Sequence, residues 1–147
     1  FKTTLEKFIL LAAFMPAVMA TGGSVGIQTS AIVIRALGMG TINTSQAFKV
    51  IFSELKLSLF LGAICGLIAG TFGFYITGDT YTGANFFTVI FFSLSIASVI
   101  SAIFGAAFPL VLNKFNIDPA NGSGPFVTMA NDMFSAISYL LIALMFI

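Results

Sequence analysis

The sequence from Thr80 to Asn113 reads TYTGANFFTVIFFSLSIASVISAIFGAAFPLVLN and contains no Asp, Glu, Lys or Arg. A helix needs about 20 predominantly apolar residues to cross the hydrocarbon core of a bilayer. This stretch is longer than that and is apolar over most of its length. It therefore predicts a membrane-spanning helix.

Three further stretches have the same character. Residues 8–34 and 57–78 contain no charge, and residues 119–147 contain one, Asp132. Together the four stretches predict transmembrane helices at about 4–38, 48–76, 85–112 and 125–147. We expect an all-α, polytopic membrane protein, with residues 1–147 forming one transmembrane domain in a cell (inner) membrane.

The composition excludes several classes of function. Hydrophobic residues make up 59% of the chain and charged residues 7%, whereas soluble domains are about 25% charged. The chain has no His and one Cys, Cys65, which excludes zinc chemistry, Cys–His nucleophiles and disulfides within it. No nucleophile–base set is present, so we expect no enzyme. A net charge of +1 offers no basic patch for nucleic acid.

A polar, glycine-rich segment interrupts the first predicted helix. It includes Gly22, Gly23, Gly26 and Gln28 within residues 21–30. Glycines here allow a second backbone to approach closely, or allow the helix to unwind against a water-filled cavity. The alternative is tight helix packing, with Gln28 hydrogen-bonded across an interface. The spacing favours neither interpretation.

Asp132 is the most informative residue of the last helix. A carboxylate at the centre of a span costs about 2.5–3.5 kcal/mol on insertion scales. At helical spacing it shares a polar stripe with Thr128, Asn131, Ser135 and Tyr139. Oxygen ligands of this kind suit magnesium or calcium better than soft metals. The stripe therefore predicts a site for a hard divalent cation.

Two structural alternatives apply to Asp132. The carboxylate could pair with Arg35 or Lys56, or it could stay neutral and carry a proton. Either would make it a structural or proton-transfer group instead of a metal ligand.

Small residues recur every four positions on the second and third helices, as Gly62, Gly66 and Gly70, and as Ser93, Ala97, Ser101 and Gly105. This spacing favours close helix packing. Alternatively, the serines line a water-filled path. They do not if their hydroxyls hydrogen-bond to the backbone carbonyl one turn earlier. We expect the glycine face of the second helix and the polar stripe of the last helix both to need partners, which favours a homodimer.

Two ordered motifs resemble one family. The first comprises Pro16, then Thr21-Gly22-Gly23-x-x-Gly26-x-Gln28, then Ile34-Arg35-Ala36-Leu37; the second comprises Asp118-Pro119-Ala120, Pro125 and Asp132. Both resemble the transmembrane pore domain of the MgtE family of magnesium channels. The resemblance covers nearly the whole chain.

The resemblance implies a homodimeric channel with five helices per subunit, of which this chain lacks the first helix and the cytoplasmic regulatory domains. The family's pore lies between the subunits and is lined mainly by the second and fifth helices. Its pore aspartate falls on Asp132, the expected metal contact, and its glycine segment falls on Gly22, Gly23, Gly26 and Gln28. Together with the polar stripe, this gives Thr128, Asn131 and Ser135 as further pore-lining or hydrated-ion contacts.

The predicted function is passage of hydrated Mg²⁺ across the membrane through a pore at the dimer interface. The ion is cargo, and no cofactor is expected. Three positions depart from the expected pattern: Ser24 stands where the family usually has Asn, Ile27 where a polar residue is common, and Gly124 where a related channel has an Asn that helps position hydrated magnesium. The alternatives are a proton-coupled or broad-specificity divalent cation transporter, or a non-conducting membrane subunit.

Overall fold

The computed structural model describes residues 2–41, 44–77 and 80–146. Over these ranges the chain forms four long helices: α1, Lys2–Gly38; α2, Thr44–Thr77; α3, Thr80–Lys114; and α4, Pro119–Phe146. Each contains a stretch long and apolar enough to cross a membrane, namely Ile9–Gly38, Lys49–Thr77, Thr82–Lys114 and Ser123–Phe146. The all-α prediction with four spans is confirmed.

Helix α3 is the centre of the bundle. It packs against each of the other three helices, and a larger share of it is buried than of any other span. Helix α2 packs mainly on α3 and touches α1 only slightly, and among the described residues it makes no contact with α4. Helices α1 and α4 therefore contact each other and α3, while α2 lies at the edge of the bundle.

The helix ends follow ordinary capping chemistry. Helices α1 and α3 are each followed by a residue of positive φ, Gly40 at 64° and Asn116 at 57°, which is the usual C-terminal cap. Helix α4 begins at Pro119 and not at 125 as predicted. The Ala120 N–H donates to Asp118 Oδ1 at 3.0 Å, so Asp caps the helix and Pro occupies its first position.

The glycines of α2 pack against α3 of the same chain. A Cβ added at Gly62 would lie 2.8 Å from the Leu94 carbonyl oxygen, and one at Gly66 would lie 2.9 Å from the Phe91 carbonyl oxygen. Gly70 faces the Phe87 ring in the same way. These glycines bring the backbones of α2 and α3 together. The expectation that this face needs a second subunit is wrong, because α3 already covers it.

The apolar core lies between α1, α3 and α4. Val18 and Ile90 are fully buried there, as is Tyr139. The Tyr139 hydroxyl donates to the Leu11 carbonyl oxygen at 2.7 Å, so this member of the polar stripe holds α4 to α1. Elsewhere large apolar side chains face outward, as expected where a helix surface contacts lipid.

Candidate ion-conducting site

The glycine-rich segment of α1 stays helical and lies against both α3 and α4. Gly22, Gly23 and Gly26 are all buried, although they belong to a helix whose outer side is exposed at Ser24 and Gln28. The unwinding that the sequence allowed does not occur. The glycines instead permit close approach, and two different environments meet at consecutive residues.

Gly22 and Gly26 face the buried side of the junction where α1 packs against α3 and α4. A Cβ at Gly22 would lie 2.6 Å from Ser135 Oγ of α4 and 2.9 Å from Ser101 Oγ of α3. A Cβ at Gly26 would overlap the Asn131 amide. On α3, a Cβ at Gly105 would overlap the Gly26 carbonyl oxygen, so the backbones of α1 and α3 are in direct contact.

Gly23 faces Asp132. Apart from its chain neighbours and the adjoining α1 backbone, the only atom of the described residues within 4 Å of a Cβ added at Gly23 is Asp132 Oδ1, at 3.9 Å. Asp132 is itself partly exposed. The carboxylate therefore lies at the α1–α4 junction, beside a position where α1 has no side chain.

The positions of the basic residues argue against a structural ion pair for Asp132. Arg35 follows Gly23 by twelve residues, which is roughly 18 Å along a helix axis. Lys56 belongs to α2, which among the described residues has no contact with α4. Neither partner considered in the sequence analysis is therefore close to this carboxylate within the chain.

The residues of the polar stripe of α4 differ in their exposure. Asn131 and Ser135 are completely buried, whereas Thr128 and Asp132 are partly exposed. The Thr128 hydroxyl donates to the Gly124 carbonyl oxygen at 3.0 Å. Of the predicted pore-lining residues, Gln28, Thr128 and Asp132 thus have surfaces open to a partner or an ion.

Two polar contacts were missed by the sequence analysis. The Glu54 side chain of α2 hydrogen-bonds Thr29 of α1, and Ser30 of α1 donates to Ser123 of α4 at 3.4 Å. In the sequence, Glu54 can be recognised as a second carboxylate inside a mainly apolar helix, which indicates a polar partner. Over the described residues, no group of three or more His, Cys, Asp or Glu could hold a metal. The described part of one chain therefore supplies no set of three or more such side chains for a bare ion.

Comparison with known proteins places these features in a family. Residues 15–142 match the MgtE model, described as a divalent cation transporter. The chain is 34% identical over 147 residues to the magnesium transporter MgtE of Bacillus subtilis, covering 100% of this chain and 32% of that protein.

Two further magnesium transporters MgtE match nearly the whole of this chain over a similar share of their own length. The protein of Enterococcus faecalis is 29% identical, with 99% of this chain and 31% of the relative covered. That of Thermus thermophilus is 28% identical, with 97% and 31% covered. The chain thus spans about a third of the length of the curated relatives it matches.

The geometry predicts different effects on stability when alanine replaces each of two consecutive glycines. Gly22→Ala should lower the free energy of unfolding by about 1–3 kcal/mol, because its methyl group meets two hydroxyls and overpacks the junction. Gly23→Ala should leave stability unchanged or raise it by about 0.5–1 kcal/mol, because its methyl group has ordinary contacts and Ala favours the helix. Thermal unfolding of both variants in one detergent measures this difference. Equal melting temperatures would contradict the placement of α1.

Proposed function

The chain belongs to the MgtE family of divalent cation transporters, and from that premise we propose that it passes hydrated Mg²⁺ across the membrane beside Asp132. Membership also places the chain among membrane transporters and not among enzymes. The observation that carries the proposal is the Asp132 carboxylate. It lies in a membrane span, next to Gly23, and away from the basic residues considered as its partners.

The chemistry of the ion fits these surroundings. Mg²⁺ gives up its water shell reluctantly and usually binds through one or two carboxylates with several waters kept. Asp132 supplies one charged acceptor, and the side-chain-free position at Gly23 leaves space beside it. A hydrated ion can bind there through its waters and still leave, which conduction requires.

A second copy of the chain is part of the proposal. One protomer brings one Asp132 carboxylate to this junction, and among the described residues α2 lies at the edge of the bundle without contact to α4. Two copies meeting along α1 and α4 would place two Asp132 carboxylates around one ion. Two negative charges favour a divalent over a monovalent cation. The exposed apolar residues of α4, such as Met129 at 72% exposure, supply surface for that contact.

The departures from the family's pattern favour broad divalent selectivity as the second candidate. Ser24 is exposed, but its hydroxyl donates to the Ala20 carbonyl oxygen of its own helix at 2.8 Å. Gly124 has no side chain to offer, and outside its own helix backbone no atom of the described residues lies within 4 Å of a Cβ built on it. Fewer polar groups are then available to order the water shell of one particular ion.

Replacing Asp132 tests the proposal. Asp132→Asn keeps the shape and removes the charge, so the apparent affinity for Mg²⁺ should weaken about tenfold or more. Asp132→Ala should weaken it further, because the acceptor for ion-bound water is also lost. The measurement is Mg²⁺ uptake into liposomes, with Ca²⁺ and Co²⁺ as competitors.

Asp118→Asn is the matched control for Asp132→Asn. It removes the same charge from the exposed residue before α4, and Asn caps a helix as well as Asp does; uptake should be unchanged. Unaltered affinity and selectivity in Asp132→Asn would refute the pore role. Failure of that variant to insert or to dimerise would show that the carboxylate is structural.

The proposed dimer predicts which helix faces cross-link. Met129 lies one turn from Asp132 on α4, whereas Tyr75 is 81% exposed on the peripheral helix α2. In a Cys65→Ala background, Met129→Cys should give a dimer with a short bis-maleimide in membranes. Tyr75→Cys should give little. A dimer formed through Tyr75→Cys alone would place the interface on α2 and contradict the proposal.

A further inference from the structure

A second group of polar side chains lies on the inner side of the glycine segment. Ser101 of α3 and Asn131 and Ser135 of α4 have no exposed surface. The two hydroxyl oxygens and both polar atoms of the amide have no hydrogen-bond partner among the described residues. We name these three residues the inner polar cluster.

The cluster is compact. Ser101 Oγ and Ser135 Oγ lie 2.9 and 2.6 Å from one point, the Cβ position of Gly22. The Asn131 amide lies against Gly26, one turn further along α1, and Asn131 is one turn from Ser135 on α4. Polar atoms from two helices thus lie against α1 at Gly22 and Gly26, where α1 has no side chain.

This cluster is separate from the carboxylate. Gly22 and Gly23 are consecutive residues, and consecutive residues of an α-helix point about 100° apart. Gly22 faces the cluster, and Gly23 faces the partly exposed Asp132. The cluster and the carboxylate therefore face different sides of α1, and the inference below does not depend on the proposed transport function.

Ordinary helix chemistry does not account for the unpaired hydroxyls. A serine in a membrane helix usually donates to the carbonyl one turn earlier. Ser98 does so, to the Leu94 carbonyl oxygen at 2.8 Å, and Ser95 donates to the Phe91 carbonyl oxygen at the same distance. Ser101 is on the same helix and is equally buried, but its hydroxyl points at α1.

We propose that the inner polar cluster binds water between α1, α3 and α4. Buried polar groups are nearly always hydrogen-bonded, to protein or to ordered water, and a buried water typically makes about three such bonds. Two hydroxyls and an amide provide both donors and acceptors. They carry no charge, so the cluster suits neutral water better than a divalent cation, which prefers carboxylates.

Density at high resolution is the direct test of the bound water. In the intact chain in a lipid nanodisc, a peak within hydrogen-bond distance of Ser101 Oγ and Ser135 Oγ is expected. A map that resolves ordered water elsewhere in the protein but shows none at the cluster would overturn the proposal.

Alanine substitution is the second test and needs no map. Ser101→Ala and Ser135→Ala should each lower the melting temperature by about 2–4 °C, because a bound water loses a partner. Ser98→Ala is the matched control, buried to the same degree on the same helix with its hydroxyl already bonded, and should change less. A dry, unpaired hydroxyl would give the reverse result, since its removal raises the melting temperature.

A cation comparison separates water from a bound monovalent ion. Melting temperatures of the wild-type chain in Na⁺, K⁺ and choline salts at equal ionic strength should agree. A stabilisation by one cation that Ser101→Ala removes would show that the cluster binds that cation, and would overturn the assignment to water.

Discussion

The contact of the α1 backbone with α3 and α4 is the interaction on which the site depends. Gly26 of α1 and Gly105 of α3 touch through backbone atoms, and Gly22 leaves room for side chains from two helices. A side chain at Gly26 would overlap the Asn131 amide, and one at Gly22 would meet the Ser101 and Ser135 hydroxyls. The same contact brings Gly23 beside Asp132, so the packing of the bundle and the position of the carboxylate have one cause.

A carboxylate in a membrane span costs free energy unless neighbouring groups compensate its charge. Such groups are rare in spans and usually face a bundle interior, a cavity or a partner. Asp132 is partly exposed within one chain, and the basic residues at Arg35 and Lys56 are too remote or on the wrong helix. A second subunit, water and a passing divalent cation together would satisfy it. The local geometry therefore supports the proposal that a divalent cation passes beside Asp132.

Much of the fold follows from charge-free stretches, because a span must be apolar along its whole length. The predicted start of α4 at 125 is too late, because the Asp118-Pro119 pair before it caps a helix. The division of the polar stripe could not be predicted. Asn131 and Asp132 are consecutive, and only tertiary packing decides that one is buried against Gly26 while the other stays partly exposed. Sequence spacing likewise could not show that α3 covers the glycines of α2.

Flux through the purified chain tests the central claim most directly. The chain is reconstituted in liposomes that contain a Mg²⁺-sensitive dye, and Mg²⁺ is added outside with and without an imposed proton gradient. We expect dye signal that follows the Mg²⁺ gradient, exceeds that of protein-free liposomes and is unaffected by the proton gradient. Influx no greater than in protein-free liposomes would contradict the account and favour a non-conducting subunit. Influx only with a proton gradient would contradict it equally and identify a proton-coupled transporter.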